Sequence, residues 1–166
     1  MRTASAWCMA LLVSGGLSAQ TQAAMKDIPK FELAVACIKK YEGLHNHKKH
    51  YPYYGYGHKR LPGEKLSYGM TKMEADALLR KDLRKLCATF RCLGKDSLLV
   101  ATLAYNVGIG TLLGNGKRKR SRLIAKLKAG DRRIYAEYIS FRKWKGRVVR
   151  SIERRRKMEF LLLYEP

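Results

Sequence analysis

The stretch from Leu44 to Met70 most constrains what this chain can fold into, because it lacks helical periodicity in a sequence otherwise patterned for helices. Its prolines, Pro52 and Pro62, and its glycines predict short strands and turns. Helical patterns flank it on both sides. We therefore predict an α+β fold in which one helix, a small β-region and a helical lobe enclose a cleft.

The helix before the β-region places a single carboxylate at the cleft. Apolar residues recur at helical spacing from Phe31 to Tyr41, Glu42 follows, and Gly43 marks the stop. Glu42 is thus expected where the first helix enters the β-region, and the next acidic residue in the chain is Glu64.

The rest of the chain is patterned for further helices with start and stop signals. Thr71 and Glu74 form a capping-box pattern for a helix that runs to about Cys87. A second predicted helix runs from Leu98 to Asn106, with a cap at Asp96 or Ser97 and a stop at Gly108, and a third runs from Ser121 to Ala129 and stops at Gly130. A fourth is capped by Asp131 and reaches about Ile139. The last starts at Ser151 and Glu153 and ends in Phe160–Leu163. No repeat or linker divides residues 25–166, so one domain is expected there.

Residues 1–24 have the plan of a secretory signal peptide. A basic Arg2 precedes a short apolar run from Ala6 to Leu17 and small polar residues up to Ala24. Cleavage is expected after Ala23 or Ala24, and retention as an uncleaved membrane anchor is the alternative. We therefore expect an exported protein, periplasmic or secreted, that meets a membrane only through an uncleaved leader.

Three cysteines follow the leader: Cys37, Cys87 and Cys92. The odd number allows one disulfide and a free thiol, and the sequence does not fix the pairing. Cys37 lies on an apolar helix face and is expected in the core.

The chain is strongly basic, with 35 Lys and Arg against 13 Asp and Glu and dense runs at Lys117 to Arg120 and Arg154 to Lys157. Such a charge favours polyanions through long-range, salt-sensitive attraction. For an exported protein the expected partners are anionic cell-envelope polymers, peptidoglycan and teichoic acids, rather than nucleic acid. A solvated basic surface with no specific partner is the alternative.

Glu42 is the candidate general acid. Glycoside cleavage needs a proton donor to the leaving oxygen and a second group that stabilises or traps the oxocarbenium-like centre. A Glu at a helix end, shielded by aromatic residues such as Tyr41, can keep a proton near neutral pH. The alternative is a solvated Glu at a helix terminus.

The four histidines allow a different interpretation. They are His45, His47, His50 and His58, all within the β-region. Together they suggest a zinc site with Glu42 as base, but their spacing matches no helical His-Glu-x-x-His pair. A polar loop that contacts substrate or solvent is the alternative, and no metal or cofactor is expected.

Three residues are candidates for binding substrate. His58 and Tyr56 belong to a Gly-Tyr-Gly-His turn whose glycines permit close backbone approach. Asn106 precedes Val107-Gly108, where its amide can bind a sugar group or simply end a helix. A Ser or Cys nucleophile and a phosphate-binding loop have no supporting motif.

Taken together, these segments resemble the phage-type lysozymes and endolysins of glycoside hydrolase family 24. The order and spacing carry the resemblance, which runs from about Pro29 to Leu163. Its segments are Lys39-Lys40-Tyr41-Glu42-Gly43, Gly55 to His58, Thr71 to Leu83, Ala101 to Gly108, Ser121 to Leu123 with Ala129 to Asp131, and Gly146 with Arg154-Arg155-Arg156 and Glu159. It implies a monomeric lysozyme-like domain that hydrolyses the β-1,4 bond between N-acetylmuramic acid and N-acetylglucosamine, with Glu42 as general acid.

The chain departs from that family at the second catalytic group. The family has an Asp nine residues after the Glu and a Thr six further on, whereas Tyr51 stands nine residues after Glu42 here. When the sequence is aligned to the family backwards from Gly57-His58, the family's Thr corresponds to Tyr53 and its Asp to a position near His47. His50 or Tyr53 is therefore the candidate replacement, because a tyrosine acts as nucleophile in some glycosidases.

Several functions remain open at this point. The first is a lysozyme-type muramidase. A lytic transglycosylase, which forms an anhydro sugar and needs no second carboxylate, is the next. A binding module without turnover, a zinc-dependent wall hydrolase and, last, a nucleic-acid binder are the others.

Overall fold

The computed structural model describes residues 28–166, which form an α+β fold of helices and small antiparallel hairpins. The helices are α1 Lys30–Glu42, α2 Lys72–Thr89, α3 Ser97–Val107, α4 Ile109–Leu113, α5 Arg122–Lys128, α6 Tyr135–Ile139 and α7 Arg150–Leu163. The strands are β1 Tyr53–Tyr54, β2 His58–Lys59, β3 Lys143–Trp144 and β4 Arg147–Val148. None of these helices is long and apolar enough to cross a membrane. The predicted fold class is confirmed, and the predicted signal peptide lies outside the described residues.

Helix α3 lies at the centre of the helical lobe. It is apolar on nearly every side, and Leu99, Val100, Ala101 and Leu103 are completely buried. Helices α1, α2 and α7 pack around it, and α1 also packs against α7. The first and last helices of the described chain are therefore neighbours, which brings the end of α1 close to residues of α7.

The β-region is a small lobe over α2. Strands β1 and β2 pair antiparallel, with Tyr54 opposite His58. A further bridge joins His45 to Gly55. A Cβ on Gly55 would lie 3.2 Å from the Cβ of Ala75 in α2, so the glycine permits this close packing of lobe on helix. The predicted strands and turns between Leu44 and Met70 are confirmed.

The capping box at the start of α2 is confirmed, and so is the cap of α5. The Thr71 side chain accepts the Glu74 N–H while Glu74 accepts the Thr71 N–H, and Ser121 accepts the Ile124 N–H. Helix α1 ends at Glu42 with Gly43 as its C-cap, as predicted.

Three predicted caps are wrong, because the side chains have other partners or positions. Asp96 precedes α3 but pairs with Arg132 instead of capping, and Ser97 donates to the Cys87 carbonyl. Asp131 accepts the Arg133 N–H in a turn. Helix α6 consequently starts only at Tyr135, and α7 starts at Arg150, one residue before Ser151, without a side-chain cap.

The three cysteines of the described chain are free thiols. Cys37 is completely buried in the core, as predicted. Burial raises the pKa of its thiol to about 12, so it is an inert core residue rather than a nucleophile.

Candidate active site

Glu42 is held at one of its two carboxylate oxygens. Its Oε1 accepts a hydrogen bond of 2.7 Å from Arg155 Nη1 and one of 3.3 Å from Asn106 Nδ2. Its Oε2 has no hydrogen-bond partner within residues 28–166 and faces Gly57, where an added Cβ would lie 3.4 Å away. The side chain is 19% exposed. A proton on this carboxyl group therefore has Oε2 as its free position, against the turn of the β-lobe.

Glu42 and four other side chains form a closed ring of hydrogen bonds, which we call the Glu42 ring. Arg155 also donates to Glu159 at 2.8 Å, Glu159 accepts from Arg156, Arg156 donates to Asn106, and Asn106 returns to Glu42. Arg155, Arg156 and Glu159 are buried. The ring joins α1, α3 and α7 and holds Glu42 through its Oε1, on the side away from the β-lobe.

The Glu42 ring contains two arginines and two glutamates, so its charges balance while Glu42 is ionised. Burial of Arg155 opposes its charge, but Glu159 and Glu42 outweigh that effect and raise its pKa above the ordinary value. Outside the ring, the hydroxyl of Tyr138 donates to Glu159 at 3.0 Å, and burial raises the Tyr138 pKa. Glu159 thus has a partner on every side, as a buried carboxylate requires.

His58 lies between two carboxylates at the contact of the β-lobe with α2. Its Nδ1 is 2.6 Å from Asp82 Oδ2 and its Nε2 is 2.8 Å from Glu64 Oε2. The hydrogen bond with Asp82, assisted by Glu64, outweighs burial and raises the pKa of His58. Glu64 also accepts the Leu61 N–H, which with His58 lowers its own pKa. Both ring nitrogens of His58 are thus occupied within the fold.

Tyr56 is buried as well. Its carbonyl accepts a 2.9 Å hydrogen bond from the Tyr105 hydroxyl, and the Lys39 ammonium lies 5.0 Å from its ring centroid. Substrate binding by Tyr56, His58 and Asn106 stays a prediction. Of these, only Asn106 is exposed and directly in contact with Glu42.

The remaining histidines form an aromatic cluster in the loop that follows Glu42. The ring of His50 lies 4.9 Å from that of His45 and 5.8 Å from that of His47, and Tyr53 lies 6.2 Å from His45. His47 and His50 close a short 3₁₀ turn: the His50 ring accepts the His47 N–H, and the His50 N–H donates to the His47 carbonyl at 2.9 Å. Tyr53 is 43% exposed.

The capping contact fixes the tautomer of His50. Its Nδ1 accepts the His47 N–H at 3.3 Å, so a neutral ring carries its proton on Nε2. Partial desolvation, with His45, Lys49 and His47 adding to the effect, lowers the pKa of His50 and favours that neutral form. His50 therefore offers a hydrogen-bond donor at Nε2 and would have to change tautomer to act as a base.

No group of three or more His, Cys, Asp or Glu side chains in the described part of the chain is arranged to hold a metal ion. The carboxylates of Glu64 and Asp82 both pair with His58. The zinc alternative therefore has no ligand set in residues 28–166.

Arg155, Arg156 and Glu159 belong to the family resemblance, but the sequence predicted no role for them in the site. The charge pattern predicts a basic surface from Arg154 to Lys157, yet Arg155 and Arg156 are buried. A signal was present: Glu159 stands four and three residues after the two arginines, which is the spacing of helical ion pairs.

An α+β fold that holds one glutamate between the end of its first helix and a small β-lobe defines a lysozyme-like class of protein. The family model described as phage lysozyme matches residues 39–159, a span that includes every member of the Glu42 ring. The chain belongs to the phage lysozyme family. Membership supports a lysozyme-type glycosidase function with peptidoglycan as substrate. A comparison with curated proteins gave no match.

Proposed function

We propose that this protein cleaves the β-1,4 bond between N-acetylmuramic acid and N-acetylglucosamine in peptidoglycan, with Glu42 as the proton donor. The observation that carries the proposal is the asymmetry of the Glu42 carboxyl group. Its Oε1 is bound by Arg155 and Asn106, while its Oε2 lies beside Gly57 with no hydrogen-bond partner among the described residues. General acid catalysis requires a proton on an oxygen that the leaving group can reach, and Oε2 meets that requirement.

Export through the leader and attraction to anionic wall polymers belong to the same proposal. The formal net charge of +22 supports the second of these, since it favours concentration of the protein at an anionic wall.

The second catalytic role falls to His50 or Tyr53. The chain has no Asp or Glu from Gly43 to Gly63, and Glu64 is engaged by His58 and Leu61. In hydrolysis, His50 would take a proton from the attacking water at Nε2 after a change of tautomer, or the Tyr53 hydroxyl would attack C1 and lose its proton to solvent.

A lytic transglycosylase is the second candidate, and the His50 tautomer favours it. In that reaction Glu42 gives its proton to the leaving oxygen, the C6 hydroxyl of the muramic acid attacks C1, and the hydroxyl proton returns to Glu42. No second base is needed. A loop without a carboxylate, whose histidine offers a donor rather than an acceptor, suits this course.

The test compares release of sugar ends from purified peptidoglycan by wild type, Glu42→Gln and Glu32→Gln. Glu32 lies on the same helix, pairs with Arg80, and is the matched control. We expect Glu42→Gln to lose about 10²–10⁴ of the rate, the usual contribution of a general acid, and Glu32→Gln to keep it. Equal activity of wild type and Glu42→Gln would refute the assignment.

Mass spectrometry of the products then separates the two reactions. Reducing N-acetylmuramic acid ends indicate hydrolysis, and 1,6-anhydro ends indicate the transglycosylase. Wall binding with no product at any pH would indicate a binding module.

The role of His50 is tested against His47, which shares its capping contacts. If His50→Ala loses much more activity than His47→Ala, the His50 ring takes part in the reaction. Equal losses would mean that the pair only orders the loop.

A further inference from the structure

The hairpin β3–β4 projects from the fold and contributes nothing to the core. All residues from Lys143 to Val148 are exposed, and none belongs to the hydrophobic core or packs against it. At its base the Val149 N–H donates to the Arg142 carbonyl at 3.0 Å, and Arg142 pairs with Glu153 of α7. The hairpin is thus anchored to α7 but not buried by it.

Its turn is built at a conformational cost. Lys145 has a φ of 48° and Gly146 a φ of 79°, positive at both central positions as in a type I′ turn. Lys145 is the one non-glycine residue with positive φ in the described chain. A lysine in this conformation is unfavourable by about 1 kcal/mol relative to glycine, and the core gains nothing from it.

The side chains of the hairpin combine apolar groups with unpaired cations on both faces. Trp144 is 66% exposed and pairs across the strands with Arg147, whereas Val148 is 50% exposed and pairs with Lys143. Residues opposite each other in a hairpin share a face, so each face carries one apolar and one cationic side chain.

The cations of this segment are free to bind a partner. Lys143, Lys145, Arg147 and Arg150 form no salt bridge with any described residue. Anionic surfaces attract such groups with about 1 kcal/mol for each Lys or Arg near the surface. The charge of the hairpin is therefore complementary to a dense layer of phosphates.

We propose that the β3–β4 hairpin docks on an anionic lipid surface, with Trp144 at the level of the headgroups and the surrounding lysines and arginines on the lipid phosphates. Tryptophan concentrates at the membrane–water interface because its ring is amphipathic. A platform for a single glycan strand needs one flat aromatic face. In this hairpin each face carries one apolar and one cationic side chain. Both faces can therefore contact lipid headgroups when the hairpin enters the headgroup layer by its turn. The docking is additional to the glycosidase function and independent of it.

Fluorescence of Trp144 tests the proposal directly. The chain has two tryptophans, and Trp7→Phe leaves Trp144 as the only one. The probe is a vesicle of phosphatidylglycerol and phosphatidylcholine, and pure phosphatidylcholine vesicles are the control. We expect a blue shift and protection from an aqueous quencher with the anionic vesicles only.

A charge-matched pair of variants locates the contact. Lys143→Ser/Lys145→Asn removes two cations from the hairpin, and Asn tolerates positive φ at position 145. Lys117→Ser/Lys119→Asn removes two exposed cations from a different loop. At 1 kcal/mol per cation the hairpin variant should bind anionic vesicles about 30-fold more weakly, and the loop variant less than about threefold.

Three results would overturn the proposal. The first is the absence of a spectral change with anionic vesicles, and the second is an equal loss of vesicle binding in both double variants. The third is a spectral change that only soluble peptidoglycan fragments produce, which would mean that the hairpin binds glycan instead of lipid. Hydrolysis of soluble fragments should be unchanged in the hairpin variant, so failure of the docking is distinguishable from failure of the glycosidase assignment.

Discussion

Replacement of His58 by glutamine should destabilise the protein most at mildly acidic pH. The ring is 6% exposed and bonds two carboxylates, Asp82 and Glu64, which are 17% and 29% exposed. Breaking a buried charged pair costs about 3–5 kcal/mol, and the partial exposure of both carboxylates argues for the lower end. A loss of about 3 kcal/mol corresponds to a fall of about 6–12 °C in Tm for a domain of this size.

The sign of the pH dependence follows from the raised pKa of His58. The native ring holds its proton to higher pH than the unfolded one, so the native state binds more protons between the two pKa values. The stabilisation is therefore fully present below the unfolded value of about 6.5 and is lost as pH rises through the folded value. Within that window the free energy of unfolding should fall by up to about 1.4 kcal/mol per pH unit in wild type, and the contribution should vanish in His58→Gln.

Urea denaturation between pH 5.5 and 8.5 measures this effect. The difference in unfolding free energy between wild type and His58→Gln should be largest at pH 5.5 and shrink toward pH 8.5. His47→Gln is the control, because His47 has no carboxylate partner among the described residues. A difference that is constant across the range, or one that grows with pH, would refute the reasoning.

Three further changes test the site and the fold. Gly57→Ala introduces a Cβ 3.4 Å from Glu42 Oε2 at a residue with a φ of 94°, so it should lower kcat as well as stability. Gly63→Ala is the control, because Gly63 has a similar φ of 84° but no atom within 4 Å of the added Cβ. It should cost similar stability and leave kcat unchanged. Glu159→Gln leaves Arg155 and Arg156 against a single carboxylate and should cost about 3–5 kcal/mol by denaturation, with kcat lowered at temperatures where the variant is folded. Thr71→Ala removes the α2 cap and should cost about 1 kcal/mol, or about 2–4 °C in Tm, without changing kcat.

Each of these has a result that contradicts it. Equal kcat in the two glycine variants would mean that the turn does not position Glu42. For Glu159→Gln the control is Glu153→Gln, on the same helix but paired at the surface, and an equal loss of stability in both would show that burial of the ring is unimportant. A drop in kcat for Thr71→Ala would mean that α2 acts on the active site as well as on stability.

Features set by neighbouring residues could be predicted from the sequence. The end of α1 at Glu42 follows from the apolar spacing before it and from Gly43 after it, and the start of α2 follows from Thr71 and Glu74. These signals operate within a turn or two of helix. They placed the candidate acid and the β-lobe correctly.

Features that depend on distant partners could not be predicted in this way. Asp96 looks like a cap, but its carboxylate is taken by Arg132, 36 residues away. Arg155 looks like one of many surface cations, but it reaches Glu42 across 113 residues. The β3–β4 hairpin escaped prediction because its turn has Lys145 where Asn or Asp is usual before the glycine.

The separation of Glu42 from Arg155 also has a consequence for the order in which the protein becomes active. Ribosomes add about 5–20 residues per second, so roughly 6–23 s pass between synthesis of the acid and synthesis of the arginine that holds it across 113 residues. Until α7 is made and packed against α1, the carboxylate has no fixed orientation. A chain stopped before Arg155 would carry its proton donor and most of its core, yet would have no positioned acid. Positioning of the candidate acid therefore depends on completion of the last helix.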